Sequence, residues 1–103
     1  MIKVSVLYPN EAGKKFDMDY YCNKHMPMVQ QKLGSVCKQV AVEHGLAGAT
    51  PGAPAAFIAM GHLYCDSAEA FQTAFGPHAE AIMGDIPNYT NIQPMIQISE
   101  VKI

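Results

Sequence analysis

An α+β fold with the element order β-α-β-β-α-β is expected from three features of this sequence. Four short runs rich in β-branched or aromatic residues end in turn residues, and two stretches of helical periodicity separate the first from the second and the third from the fourth. The chain has 103 residues, which fits one domain, residues 1–103, around one core.

Ile2 to Tyr8 reads as the opening strand and stops at Pro9-Asn10, with a polar turn around Gly13 behind it. Phe16 to Leu33 carries helical periodicity, with Asp17 placed to cap its start and Gly34 its end. Val36 to Leu46 is a second strand. Residues 47–55, AGATPGAPA, are too poor in packing groups to form an element, and Ala56 to Cys65 is a third strand. Asp66-Ser-Ala-Glu69 has the form of a capping box and opens a helix to about Met83, interrupted at Gly76-Pro77. A Gly/Pro/Asn-rich connection from Gly84 to Asn91 leads to a last strand, Ile92 to Ile103. Pro94 near its start marks a strand entry or an edge. Two right-handed β-α-β units joined by a β-β connection give a four-stranded antiparallel sheet with both helices on one face, the ferredoxin-like layout.

The opposite face of that sheet needs a cover. In the third strand Ile58, Met60 and Tyr64 alternate with Phe57, Ala59 and Leu63, so both faces look apolar, unlike a sheet with one wetted side. Half the residues are hydrophobic and only 16% are charged. Together these features predict a homodimer packed through the sheet face. The formal charge is −2 with no basic run, which gives nucleic acid no electrostatic footprint. Cys22, Cys37 and Cys65 are odd in number and lack metal-ligand spacing, which fits a reducing, cytoplasmic setting. No apolar run approaches the roughly 18 residues of a membrane span, and the opening residues read as a strand, not a signal peptide. No P-loop, GxGxxG, GxSxG or metal-ligand triad is present, so no cofactor or metal is expected.

Two histidines stand out once the helices are drawn. Met18, Cys22, His25 and Val29 recur at i, i+4, i+7 and i+11, and Phe71, Phe75, His78 and Ile82 recur at the same offsets. Each helix thus aims a histidine into its own apolar stripe, beside Pro27 or Pro77. Asp17, Tyr21 and His25 also form an i, i+4, i+8 row. A partly desolvated imidazole there has its charged form disfavoured and serves as a base or a neutral hydrogen-bonding group. The plainer readings are a satisfied core histidine and an Asp17 that merely caps. Tyr8, Tyr20, Tyr64 and Tyr89 are candidates for a pocket wall, and seven methionines suit a plastic apolar cavity. His44 and His62, on strands, read as structural.

The stretch Phe16-Asp17-Met18-Asp19-Tyr20-Tyr21-Cys22-Asn23-Lys24-His25-Met26-Pro27 resembles the F-D-x-x-Y-Y-x-x-x-H-x-P motif of the EthD family, named for ethyl tert-butyl ether degradation. The resemblance extends over the whole chain in length and element order. It implies a dimeric α+β barrel, similar in fold to muconolactone isomerases, cofactor-free quinol-forming monooxygenases and haem-dependent chlorite dismutases. It also implies a link to a cytochrome P450 system and an oxidoreductase-type label in xenobiotic or aromatic catabolism. Tyr21, His25 and Pro27 match the motif, while His78 rests on helical phase alone. The expected function is a small cofactor-independent enzyme acting on a small apolar oxygenated compound, with His25, Tyr21 and His78 catalytic and Tyr8, Asp17, Cys22, Phe71 and Phe75 binding substrate. The alternative is a non-catalytic accessory module.

Overall fold

Four strands and two interrupted helical arms follow one another in the expected order in the computed structural model, which describes residues 1–103. Strands β1 (Ile2–Pro9), β2 (Cys37–His44), β3 (Phe57–Cys65) and β4 (Met95–Glu100) form one antiparallel sheet in the order β2-β3-β1-β4. The first arm consists of α1 (Met18–Tyr20), a π turn over Tyr21–His25 and α2 (Met26–Leu33). The second consists of α3 (Ala68–Phe75), a 3-10 turn over Gly76–His78 and α4 (Ala79–Gly84). This is the ferredoxin-like α+β arrangement, with β4 as an edge strand.

The element ends have local causes. Asp17 caps the first arm by accepting from the Tyr20 N–H at 3.1 Å. The second arm is capped by Ser67, which accepts from the Ala70 N–H at 3.0 Å, so the cap lies one residue later than a box opening at Asp66 would put it. The last strand starts at Met95, not Ile92. Pro94 has no N–H to give to a ladder, and Ile92 is instead buried with its N–H on Thr90 Oγ1.

Pro27 reshapes the first arm in the turn before it. Its ring crowds the carbonyl four residues back and it offers no N–H. The backbone widens there, and the Met26 N–H donates to the carbonyl of Tyr21, five residues earlier. The wide turn changes which side chains meet the sheet. Tyr21, His25, Met26, Val29 and Leu33 are buried, whereas Cys22 is exposed and Met18 only half-buried. A regular helix would have put Met18 and Cys22 inward. The expected stripe therefore holds after the turn and slips before it.

The inner face of the sheet presents Val4 and Tyr8 from β1 and Ala59, Leu63 and Cys65 from β3 to these residues and to Phe71 and Ile82 of the second arm. The outer face is more polar than β3 alone suggests. Ser5 lies opposite His62 in the β1–β3 register, with Oγ 2.9 Å from Nδ1, and His62 Nε2 lies 3.2 Å from Glu43 on β2. The centre of that face is thus a bonded polar row, flanked by Met60 and Tyr64.

One close approach ties the first arm to the sheet. A Cβ on Gly61 would lie 1.9 Å from the Tyr21 hydroxyl oxygen and 3.1 Å from its Cζ. β3 therefore has no side chain there because the Tyr21 phenol occupies the space. Gly61→Ala is expected to cost about 1–3 kcal/mol, the usual range for overpacking. Combined with Tyr21→Phe it should cost markedly less, because the clashing oxygen is gone. Urea melts of the two single variants and the double variant measure this coupling; strictly additive losses would show that the contact is not the reason for the glycine.

Candidate active site

The chain from Asp85 to Ile92 is folded back against the start of the first arm. The Asp17 N–H donates to the Tyr89 carbonyl at 2.8 Å, Phe16 bridges to Thr90, and the Lys15 N–H donates to Asn91 Oδ1 at 2.9 Å. This clamp brings Asp85 and Tyr89, about 60 residues downstream in sequence, onto His25. Around them Tyr8, Phe16, Tyr20, Tyr21 and Tyr89 pack as an aromatic cluster, mostly edge to face. Tyr21 and His25 stack, with ring centroids 5.5 Å apart and planes 14° from parallel.

A hydrogen-bonded chain crosses the cluster. His25 Nδ1 lies 2.9 Å from Asp85 Oδ2. A carboxylate can only accept, so Nδ1 carries the proton and Nε2 presents a lone pair. The Tyr89 hydroxyl lies 3.5 Å from Nε2 and 2.6 Å from the Tyr8 hydroxyl. The Tyr21 ring packs edge to face on that of Tyr8, with centroids 5.6 Å apart. Each group of the chain then donates toward the carboxylate, in the order Tyr8, Tyr89, His25, Asp85. Asp85 is held in place by the Tyr20 hydroxyl at 2.7 Å and the Asn88 amide at 2.9 Å, both donating to Oδ1.

The electrostatics follow from burial and these bonds. Burial alone would raise the Asp85 pKa, but the donors Asn88, Tyr20 and His25 outweigh it and hold the carboxyl below its ordinary value. Burial lowers the His25 pKa, and the Asp85 hydrogen bond and charge oppose this without cancelling it. At neutral pH the pair is therefore a neutral imidazole bonded to a carboxylate, not an ion pair. Tyr8, Tyr21 and Tyr89 are all raised above the ordinary phenol value, chiefly by burial, and stay protonated.

Between the arms and the sheet lies a cavity of about 120 Å³, in contact with Tyr8, Tyr21 and His25 on one wall. The other walls are apolar and include Val4, Leu63, Phe71 and Phe75, with Met83 and Ile96 among the lining residues. Met83 and Ile96 are 43% and 53% exposed, which places them at its mouth. No Lys, Arg, Asp or Glu lines the cavity. No three His, Cys, Asp or Glu side chains are grouped so as to hold a metal ion. No helix is long and apolar enough to cross a membrane.

The structure thus brings together Tyr8, Tyr21, His25, Phe71 and Phe75. It leaves three of the expected residues apart. Asp17 is exposed and caps α1, as its plainer reading had it. Cys22 is turned outward by the π turn. His78 is half-buried but does not line the cavity, because the 3-10 turn at Pro77 tightens the backbone there and breaks the phase that joined it to Phe75. No local pattern singles out Asp85, and Tyr89 is one of several candidate tyrosines in the sequence. The available signal was a short Asp-x-x-Asn-Tyr run in the Gly/Pro-rich connection, where a conformationally restricted loop presents polar groups.

Comparison with known proteins places this geometry. The EthD domain profile matches residues 11–93. An uncharacterized 11.0 kDa protein from the thcB-thcC intergenic region of Rhodococcus erythropolis is 30% identical over 92 residues, covering 88% of this chain and 85% of its own length. The crystal structure of an EthD-like protein from Ralstonia eutropha JMP134 superposes with a TM-score of 0.95 at 55% identity, over 99% of this chain and 92% of that one. An ethyl tert-butyl ether degradation (EthD) family protein from Bacillus halodurans C-125 shares the fold, with a TM-score of 0.66 at 20% identity over 98% of each chain. The chain belongs to the EthD family.

Proposed function

We propose that this protein is a small cofactor-independent enzyme of xenobiotic or aromatic catabolism, in which residues 1–103 act as one EthD-like domain. Its ligand is a small apolar oxygenated compound held in the cavity between the helical arms and the sheet. The observation that carries this reading is His25, a neutral imidazole at the cavity wall with one nitrogen fixed by Asp85 and the other presenting its lone pair. His25 is the base, Asp85 positions it and stabilises its protonated form, and Tyr21 supplies a hydrogen bond to the ligand oxygen. General base catalysis of this kind contributes about 10²–10⁴-fold. The family's oxidoreductase label is carried with the family and not by a redox group in the site. The uncovered outer sheet face, with Leu7, Met60 and Tyr64 around its polar row, supports a homodimer packed through it in a cytoplasmic setting.

A second reading is a non-catalytic accessory module that passes its ligand to a cytochrome P450 system. The apolar lining of the cavity, with no charged side chain, supports it, because it suits holding a ligand without converting it. It differs in a measurable way: the ligand is bound and released unchanged.

A thermal-shift screen of wild type and His25→Ala against small ethers, alcohols, catechols, quinones and lactones tests the pocket. A ligand at 100 times its Kd should stabilise the wild type by about 2.7 kcal/mol and His25→Ala much less. Equal shifts in both proteins would remove His25 from the binding site.

The dyad also has a pH signature. Following the His25 ring protons by NMR should give a midpoint below about 6.5, the ordinary histidine value, and Asp85→Asn should move it lower still, because the carboxylate is what opposes burial. Folding follows the same sign. Below about pH 6.5 the unfolded chain takes up a proton that folded His25 resists, so this contribution to stability is fully present above about pH 6.5 and is lost as pH drops from there to the folded midpoint. A midpoint above about 6.5 in the wild type would show that burial does not dominate at His25, and one well above about 7 that it is a cation and not a base at neutral pH.

A further inference from the structure

Resting on the reading of His25 as a base in this cavity, we infer that the ligand is a neutral, enolisable carbonyl compound of about one ring in size, and that the site moves a proton between its α-carbon and His25 Nε2. Three observations converge on this. The cavity of about 120 Å³ is of the order of the ~150 Å³ apolar cavity known to accept benzene. With no charged side chain in its wall, it would leave a carboxylate or ammonium ligand unpaired in an apolar surrounding, which is costly. The side chains in its lining that carry a hydroxyl or ring nitrogen are Tyr8, Tyr21 and His25, phenol donors and an imidazole acceptor.

The direction of the hydrogen-bonded chain decides which groups are free to serve. Tyr8, Tyr89 and His25 each donate onward to Asp85. Tyr21 lines the cavity and stands outside this chain, so its hydroxyl can donate to a ligand oxygen without breaking it. His25 Nε2 meets the Tyr89 hydroxyl only at 3.5 Å, the outer limit of a hydrogen bond, so a ligand C–H brought to this nitrogen has only a weak contact to displace. A ligand satisfying both must present an oxygen acceptor and, one bond from the carbon that bears it, a removable proton. An ether satisfies the first alone. A ketone or lactone with an α C–H satisfies both, and a phenol, which is a fixed enol, matches as a bound analogue.

In the step itself the α C–H bond breaks and an N–H bond forms at Nε2. The C–H electron pair becomes the C=C bond of the enolate, and the carbonyl π pair moves onto oxygen, where the Tyr21 hydroxyl donates to it. His25 becomes an imidazolium facing the Asp85 carboxylate. Returning the proton to the same carbon gives exchange, and returning it to a conjugated carbon gives isomerisation. Electrons and atoms balance with no oxidant or reductant. Preorganised donors in a dry site are worth most where such charge develops.

The test is exchange of the α-protons of cyclohexanone in D₂O, followed by proton NMR with the full-length protein, with binding read in the same tube by saturation transfer. Tetrahydropyran serves as the ether control. Wild type should exchange well above buffer. His25→Gln should lose about 10²-fold or more, and Tyr21→Phe about 10²-fold with binding retained, each variant first shown to melt cooperatively. Should Tyr21→Phe not fold, the His25→Gln arm decides alone. Binding of cyclohexanone without exchange overturns the inference and leaves the pocket reading standing. Exchange undiminished in His25→Gln overturns it too, and binding of tetrahydropyran but not cyclohexanone does the same. Neither binding nor exchange with any probe overturns both.

Discussion

The hydrogen bond from His25 Nδ1 to Asp85 is the interaction on which the rest of the site depends. It sets the imidazole tautomer, and through the tautomer the direction of every donor in the aromatic cluster. It also joins the first helical arm to the end of the second, which the sheet topology holds over the same face. Charge and burial are balanced around it. The carboxylate is satisfied by Tyr20 and Asn88 as well as His25, so it remains an anion without needing a cation beside it. A carboxylate stabilised in this way can accept a hydrogen bond from neutral His25 and later face its protonated form.

The placement of the dyad traces back to backbone irregularities. Pro27 forces the wide turn that buries Tyr21 and His25 on one face, and Gly61 leaves room on the sheet for the phenol that the turn delivers. π turns recur at functional sites because one extra residue re-aims a side chain that a regular helix would point elsewhere. Here the same extra residue rotates Cys22 into solvent. Pro77 has the opposite effect on the second arm: a tightened turn that keeps His78 out of the cavity, while Phe71, Phe75 and Ile82 remain in it. The two arms have the same periodicity in sequence and opposite local distortions, so only one contributes a histidine to the cavity wall.

This contrast explains how far the sequence could be read. Strand order, helix order and the sheet topology follow from alternation, caps and the handedness of crossovers, which are local or nearly so. Tyr21 and His25 were legible through both pattern and motif. Cys22 and His78 were not, because straight-helix phase does not register a π turn or a 3-10 turn. Asp85 needed information that no local pattern carries, since its role comes from a clamp between residues 15–17 and 89–91. The outer face was misjudged for a related reason. β3 alone shows Met60 and Tyr64, but the polarity of that face comes from Ser5 and Glu43 on its two neighbours.

Two histidines of almost equal burial differ in how their ring nitrogens are satisfied. His25 and His62 are 5% and 6% exposed, so burial does not distinguish them. His62 has both ring nitrogens within bonding distance of a partner, Ser5 at 2.9 Å and Glu43 at 3.2 Å, and it lies on the sheet face away from the cavity. His25 has one nitrogen firmly bonded and the other at 3.5 Å from a phenol, and it lines an apolar cavity. A buried polar atom left weakly satisfied costs free energy that folding does not recover by itself. His62 therefore needs nothing beyond the fold to account for it. His25 keeps a weak second bond beside an apolar cavity, and in that it differs from His62.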